Sequence, residues 1–260
     1  MSVEIKGWSH EDYCSAIEVE MRRFVRVAGD ADPAAEVPTC PGWTMTKLLK
    51  HLGLTQRWAG HIVENRLQVP IPFRQVPVTL PDDDKGYPRW LGEGAVSLVA
   101  TLRAAGADTA VWSWGPDQRS GFWARRMLHE GTVHRADAEI TCGIEPRIDT
   151  RIAIDGIDEL LDNLSAAPWI SDRLKELSGK GETLHFHATD VGTGSGEWMV
   201  TLRPEGFTWE HGHGKGNVAV RGSASDLILL LYGRLKPSDQ RFELFGDDDL
   251  LARWLGATAL

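Results

Sequence analysis

The first half of the chain carries apolar residues at helical spacing. This pattern predicts four helices, at residues 9–28, 44–66, 92–105 and 119–140. Ser9 and Thr44 stand where a helix N-cap belongs, and both residue types favour that position. One stripe of the second helix predicts its buried face, formed by Leu48, His51, Leu52, Thr55, Trp58, Ala59 and Ile62. Residues 67–86 are polar and proline-rich, which is typical of a loop or an ordered excursion.

The second half of the chain changes from helical to strand-like periodicity. A helix is predicted over residues 151–178. Four segments of alternating apolar and polar residues follow, at 183–190, 197–204, 207–213 and 217–222. The glycine-rich residues 192–196 lie between two of these segments, so they favour a hairpin turn over a phosphate-binding loop. The remaining pattern predicts a helix, a short strand and a last helix, at 223–235, 241–246 and 247–256.

These patterns predict two domains. An all-α domain covers residues 1–147, and an α+β domain with an antiparallel sheet covers residues 148–260. The boundary lies in the segment CGIEPRIDT, residues 142–150.

Charge and apolar content argue against two classes of partner. The formal net charge is −9, so the chain lacks the basic character that binding to DNA, RNA or an anionic membrane requires. Its longest apolar run, residues 227–232, is too short to span a bilayer, and its first residues lack the pattern of a secretory signal. We therefore expect a cytoplasmic protein that binds neither nucleic acid nor membranes.

The cysteines restrict the chemistry of any metal site. Cys14, Cys40 and Cys142 form an odd, sparse set, which argues against a disulfide framework and against a cysteine-rich zinc site. None has an obvious histidine partner for nucleophilic catalysis. Any metal is therefore expected to be held by histidines and carboxylates.

The strongest chemical signal is the segment LHEGTVHRADAE, residues 128–139. Glu130 and His134 are four residues apart, so on a helix they share a face and can touch one ion, whereas His129 points about 100° away from Glu130. The spacing is one residue longer than HExxH, which argues against a zinc protease. The ordinary alternative is a surface pair worth about 0.2–0.5 kcal/mol.

A catalytic zinc site needs three protein ligands and an open position. His51 is the best candidate for the third ligand, because it lies on the apolar stripe of the second helix and faces the interior of a helical domain. A histidine on such a stripe is more often a hydrogen-bonded core residue. His61, ten residues later, nearly shares that face, which makes it a pocket residue or a fallback ligand. His61 and Trp58, one of eleven tryptophans, are the candidates for contacting a bound cofactor.

Two further histidine pairs compete for a metal. His185 with His187, and His211 with His213, each place two imidazoles on one strand face. Such pairs can bind metal, but the pattern favours the exposed face of an antiparallel sheet, with Phe186 facing the core.

Two segments, VPTCPGWTMTKLLKHL (37–52) and MLHEGTVHRADAE (127–139), resemble the mycothiol-dependent maleylpyruvate isomerase family. That family belongs to the DinB-like four-helix metalloproteins of actinobacteria. The later segments HATDVGTGSGEWMVTLRPEG and VAVRGSASDLILLLYGR resemble the family's C-terminal domain, which is sterol-carrier-like. The resemblance covers nearly the whole chain, and it implies a DinB-like four-helix bundle followed by a sterol-carrier-like domain.

The resemblance also implies ligands and substrates. The family's metal ligands map onto His51, Glu130 and His134, which would hold zinc or another divalent metal. The arginine that binds a substrate carboxylate maps best onto Arg234, with Arg221 as the fallback. The implied partners are mycothiol, as the thiol cosubstrate, and a small electrophilic molecule.

Several functions stay open from the sequence. A thiolate of mycothiol can attack an electrophilic carbon and lead to cis–trans isomerisation, or the thiol can stay on the product as an S-transfer, for example in natural-product biosynthesis. The sterol-carrier resemblance also suits a protein that binds a lipid or another small ligand and holds only a structural metal. A metal-dependent hydrolase would need a general base, which His129 or His61 would have to supply.

Overall fold

The computed structural model describes residues 7–166, 171–192 and 196–259. The chain divides into two compact units, Gly7–Arg147 and Ile148–Leu260. None of the described helices combines the length and the apolar character that crossing a bilayer requires.

The first unit is built on four long helices, as predicted: α1 (His10–Gly29), α2 (Met45–Glu64), α3 (Tyr87–Ala105) and α4 (Ser120–Thr141). The hydroxyls of Ser9 and Thr44 accept backbone N–H groups in the first turns of α1 and α2, so both predicted caps are present. Helix α3 begins at Tyr87 rather than at residue 92. Pro88 fits the first turn of a helix, where its missing N–H costs nothing.

The segment between α2 and α3 is an ordered excursion. It contains two short 3₁₀ turns, Phe73–Gln75 and Asp84–Gly86. Two indoles hold it: Trp58 donates to the carbonyl oxygen of Ile71 at 2.7 Å, and Trp90 donates to that of Thr79 at 2.9 Å. The segment is therefore anchored to α2 and α3 by these two indoles, and its regular structure is limited to the two 3₁₀ turns.

Helix α4 is the centre of the first unit. It packs against α1 and α2, and residues 131–139 are all buried, so every face of the helix is covered. This explains why the sequence shows no simple apolar stripe over this helix. The contact with α1 is close at Gly131, where an added Cβ would lie 2.5 Å from the Cε of Met21.

A buried ion-pair network ties α4 to α1. The fully buried Arg135 donates to Glu20 of α1 at 2.6 Å and to Glu139 one turn further along α4. It also donates to the carbonyl oxygen of Arg147 at 3.1 Å. Glu20 and Glu139 are buried as well, so Arg135 compensates two carboxylates that are shielded from water.

Replacing Arg135 by leucine should destabilise the protein strongly. The change leaves Glu20 and Glu139 with the partly exposed Arg23 in place of the buried guanidinium, and breaking a buried pair in this way costs up to about 3–5 kcal/mol. Urea unfolding of the two proteins measures the difference. The matched control is Arg103→Leu, which removes the exposed pairs with Glu11 and Glu18 and should cost less than about 1 kcal/mol. Equal losses for both variants would contradict this account.

The second unit combines helices with a five-stranded sheet. Its helices are α5 (Thr150–Ala166), α6 (Ser171–Glu176), α7 (Ala224–Leu231) and α8 (Asp248–Thr258). Its strands are β1 (Thr183–Ala188), β2 (Glu197–Arg203), β3 (Gly206–His211), β4 (Val218–Gly222) and β5 (Glu243–Gly246). The single helix predicted over 151–178 is replaced by α5 and α6, and residues 167–170 lie outside the described residues. The predicted turn at 192–196 also lies partly outside them.

The sheet is mixed, whereas an antiparallel sheet was predicted. The strand order is β3-β2-β1-β4-β5, and the neighbours pair antiparallel except β1 and β4, which run parallel. The parallel pair arises from residues 212–217, which we call the crossover loop. This loop leaves β3 on one side of β1 and β2 and enters β4 on the other side.

The crossover loop lies directly on one face of the sheet. A Cβ added at Gly214 would lie 2.9 Å from the Cε of Met199, and one added at Gly216 would lie 3.1 Å from the amide nitrogen of His185. Such close approach is possible because glycine has no side chain. The glycines of this loop therefore allow its backbone to pack directly on the strands.

The other face of the sheet holds the core of the second unit. Phe186, Trp198 and Val220 are buried there, and α7 contacts both β1 and β4. The prediction that Phe186 faces the core is confirmed.

The two histidine pairs do not both lie on an exposed face of the sheet, so that prediction is wrong in two respects. His185 is buried rather than exposed. His211 and His213 do not share a strand face, because β3 ends at His211. His211 pairs in register with Trp198 and lies 3.2 Å from the carboxylate of Asp158 in α5, whereas His213 belongs to the crossover loop.

His211 should titrate above its ordinary pKa. Its Nε2 faces Asp158 and its Nδ1 lies 3.2 Å from the carbonyl oxygen of Glu197, so both nitrogens face acceptors. The hydrogen bond with Asp158 raises the pKa of His211, although burial works against it. The stabilisation by this pair is therefore complete below about pH 6.5 and is lost as the pH rises through the raised pKa.

NMR titration of the histidine ring protons measures this pKa. We expect Asp158→Asn to lower the pKa of His211, and Asp172→Asn, which changes an exposed carboxylate of α6, to leave it unchanged. An identical pKa in wild type and Asp158→Asn would refute the assignment.

Candidate metal centre

Three predicted ligands converge between α2 and α4. His51 projects from α2, and Glu130 and His134 project from successive turns of α4. The Nε2 of His51 lies 3.0 Å from Oε1 of Glu130, and the Nε2 of His134 lies 3.4 Å from the same oxygen. One donor atom from each residue falls within 4.8 Å of the other two. The structure thus brings together the three residues that the sequence singled out.

The spacing of these donor atoms fits a divalent ion. Zinc binds imidazole nitrogen and carboxylate oxygen at about 2.0–2.2 Å, so two ligands of a tetrahedral ion lie about 3.3–3.5 Å apart. The distances of 3.0 and 3.4 Å are close to that separation. Two imidazoles and one carboxylate are also a ligand set typical of catalytic zinc. The residues present therefore fit the metal that the resemblance implies.

The orientation of His134 is set by a buried carboxylate. Nδ1 of His134 lies 2.8 Å from Oδ2 of Asp137, which is fully buried. Because the carboxylate accepts, Nδ1 carries the proton and Nε2 is left as the coordinating atom. Asp137 is itself held, since it accepts from the hydroxyl of Thr39 at 2.6 Å and from the thiol of Cys40 at 3.5 Å.

Glu130 is held on its other side by arginine. The guanidinium of Arg126, one turn earlier in α4, donates to Oε2 of Glu130 at 2.9 Å. Oε1 is left facing the two histidines. Burial opposes the ionised form, but the hydrogen bonds with His134 and His51, together with the charge of Arg126, hold the pKa of Glu130 well below its usual range. The carboxylate is therefore charged at neutral pH.

Without a bound cation, the doubly protonated, charged form of the His134 imidazole is favoured. Burial disfavours its charged form, but the hydrogen bonds with Asp137, Cys40 and Glu130 hold its pKa well above the usual range. A metal must displace that proton to bind, so metal affinity should fall at acidic pH.

The centre is open on the His51 side. The His51 side chain is 38% exposed, whereas that of His134 is 11% exposed. The indole of Trp43 lies 4.9 Å from the His51 ring and 6.0 Å from the His134 ring, between ring centres. A small molecule can therefore approach the donor atoms past His51 and Trp43.

The other candidate site residues lie away from the three ligands. Trp58, two turns after His51, is buried in a cluster of aromatic rings with Phe73, Trp112, Trp114 and Trp123. His61 lies ten residues after His51 on the same helix, a rise of about 15 Å. That distance rules out His61 as a fallback ligand to the same ion.

The two arginines belong to the second unit. Arg234 follows α7, is partly buried and donates to the carbonyl oxygen of Tyr232 at 2.6 Å. Arg221 lies on β4 and pairs across the ladder with Glu243 of β5 at 2.7 Å.

The residues that support the candidate ligands were not predicted from the sequence. Asp137 and Arg126 each lie one helical turn from a ligand, a spacing that could have identified them. Cys40 has histidine and carboxylate neighbours after all, which the sequence separation of 97 residues from Asp137 concealed. His129 is fully buried on another face of α4, so it is poorly placed as the general base of a hydrolase.

Comparisons with known proteins find a relative for both units of the chain. The family profile described as "Mycothiol maleylpyruvate isomerase N-terminal domain" matches residues 14–139, and that described as "MDMPI C-terminal domain" matches residues 151–253. A solved structure of the mycothiol-dependent maleylpyruvate isomerase is similar with a TM-score of 0.57 at 13% identity, over 91% of this chain and 93% of that chain.

A structure of an alanine mutant of the mycothiol-dependent maleylpyruvate isomerase gives a TM-score of 0.56 at 13% identity, over 88% of this chain and 90% of that chain. No curated protein matches the chain. At this level of identity the likeness to solved structures supports the fold, and the family profiles support the relationship.

Asp137→Asn should weaken metal binding without removing a ligand. The amide can no longer hold His134 as the carboxylate does, and loss of such a partner typically lowers metal affinity about 10–100-fold. Competition with a chromophoric chelator measures the zinc affinity. The control Asp108→Asn alters an exposed carboxylate paired with Arg119 and should leave the affinity unchanged. Wild-type affinity in Asp137→Asn would show that this carboxylate does not support the site.

Proposed function

Because the chain belongs to the mycothiol maleylpyruvate isomerase family, we propose that it is a zinc-dependent enzyme that uses mycothiol to isomerise a maleylpyruvate-like cis double bond. The observation that carries the proposal is the convergence of His51, Glu130 and His134 at distances suited to one divalent ion. The reaction takes place in the cytoplasm, between small molecules.

The proposed chemistry begins with an activated thiol. When bound, zinc supplies a positive charge that keeps a coordinated thiol in its thiolate form at neutral pH. The sulfur then adds to one carbon of the cis double bond, the resulting single bond rotates, and elimination of the thiol restores the double bond as trans. The thiol is regenerated, so no oxidant or reductant is consumed.

The chain's own residues prepare this step. Asp137 fixes which nitrogen of His134 faces the centre, and Arg126 fixes the orientation of Glu130. The anionic Glu130 lowers the net charge of the centre relative to a site of three histidines. We further propose that Trp58 and His61, about 10 and 15 Å beyond His51 along α2, contact the bound thiol cosubstrate.

Two other readings fit the site less well. A structural metal is normally closed by four protein ligands, whereas the exposed side of His51 leaves this centre accessible, which speaks against a purely ligand-binding protein. The two candidate bases for a hydrolase are poorly placed, because His129 is buried and His61 lies too far along α2. S-transfer uses the same thiol addition without the elimination, so product analysis distinguishes it from isomerisation.

Removing His51 should abolish zinc binding at this centre, and thiol binding with it. Wild-type protein should carry one zinc ion at this centre and bind mycothiol, and His51→Ala should lose both, because two ligands remain where three are needed. Elemental analysis measures the zinc lost relative to wild type, and calorimetry measures mycothiol binding. His10→Gln, a histidine outside the centre that contacts the carbonyl oxygen of Leu102, is the control. Zinc without mycothiol binding would overturn the thiol-dependent function.

Arg234 is proposed to hold the substrate carboxylate. A charge-assisted hydrogen bond is worth about 1.5–3 kcal/mol, so Arg234→Ala should weaken substrate binding about 10–100-fold while zinc and mycothiol still bind. Steady-state kinetics with maleylpyruvate measure the change. Arg221→Ala, which breaks only the cross-strand pair with Glu243, is the matched control. A larger loss in Arg221→Ala would move the role to Arg221.

A further inference from the structure

We infer a second divalent-metal site in the C-terminal unit, formed by His185, His187, Glu197 and His213, which we call the histidine cluster. It lies on the face of the sheet that the crossover loop covers, and it shares no residue with the centre between α2 and α4. The inference is independent of the proposed function.

Strand register brings three of these residues together. His185 and His187 alternate with the core residue Phe186 on β1, so both imidazoles point to the crossover-loop face. Glu197 of β2 lies directly opposite His187 in the antiparallel ladder and therefore on the same face. Residues that are adjacent across a ladder in this way are held rigidly by the backbone.

The crossover loop supplies the fourth residue. It carries His213 back over β2, so that Nδ1 of His213 lies 2.6 Å from Oε2 of Glu197. Nε2 of His185 lies 3.1 Å from the same oxygen, and Nδ1 of His187 lies 3.9 Å from it. The three imidazole rings are 5.5 to 6.3 Å apart between centres.

Two of these nitrogens lie within hydrogen-bond distance of the carboxylate oxygen and the third lies 3.9 Å from it, so all three imidazoles are placed to turn a lone pair toward one cation beside Glu197. A carboxylate oxygen accepts about two hydrogen bonds, and each neutral imidazole has one N–H and one lone pair. Donor atoms of His185, Glu197 and His213 already lie within 4.8 Å of one another. A cation among them would use the lone pairs of the imidazoles, with His187 as the fourth ligand.

The donors define the class of ion. Three imidazoles and one carboxylate suit zinc, copper(II) or nickel(II), whereas magnesium and calcium prefer oxygen ligands throughout. Four protein ligands would close a tetrahedral site, which is the pattern of structural zinc. We therefore assign the histidine cluster to a structural zinc ion that fastens the crossover loop to β1 and β2.

Exposure shows how an ion would enter. The side chains of His185 and Glu197 are each 5% exposed and form the floor, whereas that of His213 is 76% exposed and forms the outer wall. His213 can move outward as an ion enters, while the floor stays in place. Substituting His213 should therefore remove a ligand without disturbing the fold.

Zinc titration of the metal-free full-length protein tests the inference. Wild type should bind two zinc ions per chain, and His213→Ala should bind one, with the second ion weakened by more than the roughly 10–100-fold that loss of an outer partner causes. The matched control is His211→Ala, two residues earlier and on the opposite face, which should still bind two. One ion in wild type, or two ions of unchanged affinity in His213→Ala, would overturn the proposal.

A second readout separates this site from the first. In His51→Ala, where the first centre is removed, one zinc ion should still bind and should shift the NMR ring signals of His185, His187 and His213 but not those of His211. His187→Asn in the same background should weaken that ion. Zinc-induced shifts confined to other histidines would contradict the assignment.

Discussion

The first unit depends on one contact, the half-buried carboxylate of Glu130 facing two imidazoles across the interface of α2 and α4. A carboxylate at the centre of a helical bundle is unfavourable unless positive charge or hydrogen-bond donors surround it. His51, His134 and Arg126 provide these partners from three directions. A divalent cation can replace the protons that the two imidazoles share with Glu130. The side chains that stabilise this carboxylate inside the bundle are therefore also arranged to bind a metal.

Two charged networks on α4 illustrate the difference between a structural and a chemical role. Arg135 is fully buried between Glu20 and Glu139, and all its partners belong to the protein. Glu130 lies a little more than one turn earlier, and its partners include the half-exposed His51. Both networks bury charge on one helix, but only the second leaves donor atoms that an external ion or ligand can reach.

The helices of the first unit, and the position of Glu130 and His134 on one face of α4, were predictable from the sequence because both depend on local periodicity. Helical spacing gave α1, α2 and α4, and the four-residue separation of Glu130 and His134 placed them on one face. The hydrogen bonds from Thr39 and Cys40 to Asp137 were not predictable, because these residues are almost 100 positions away from Asp137 in the sequence. The parallel pairing of β1 and β4 was missed for the same reason. The crossover loop looks like an ordinary glycine-rich turn in the sequence, and only the strand order reveals that it spans the sheet.

The metal centre between α2 and α4 is tested most directly by X-ray absorption at the zinc edge on the His213→Ala protein, in which the histidine cluster lacks a ligand. One equivalent of zinc is added to the metal-free variant, and spectra are recorded before and after mycothiol is added. We expect nitrogen and oxygen neighbours at about 2.0–2.2 Å without the thiol, and an additional sulfur neighbour at about 2.3 Å with it. Imidazole scattering consistent with two histidines should persist in both states. A spectrum that gains no sulfur neighbour would contradict a thiol-activating metal centre at His51, Glu130 and His134.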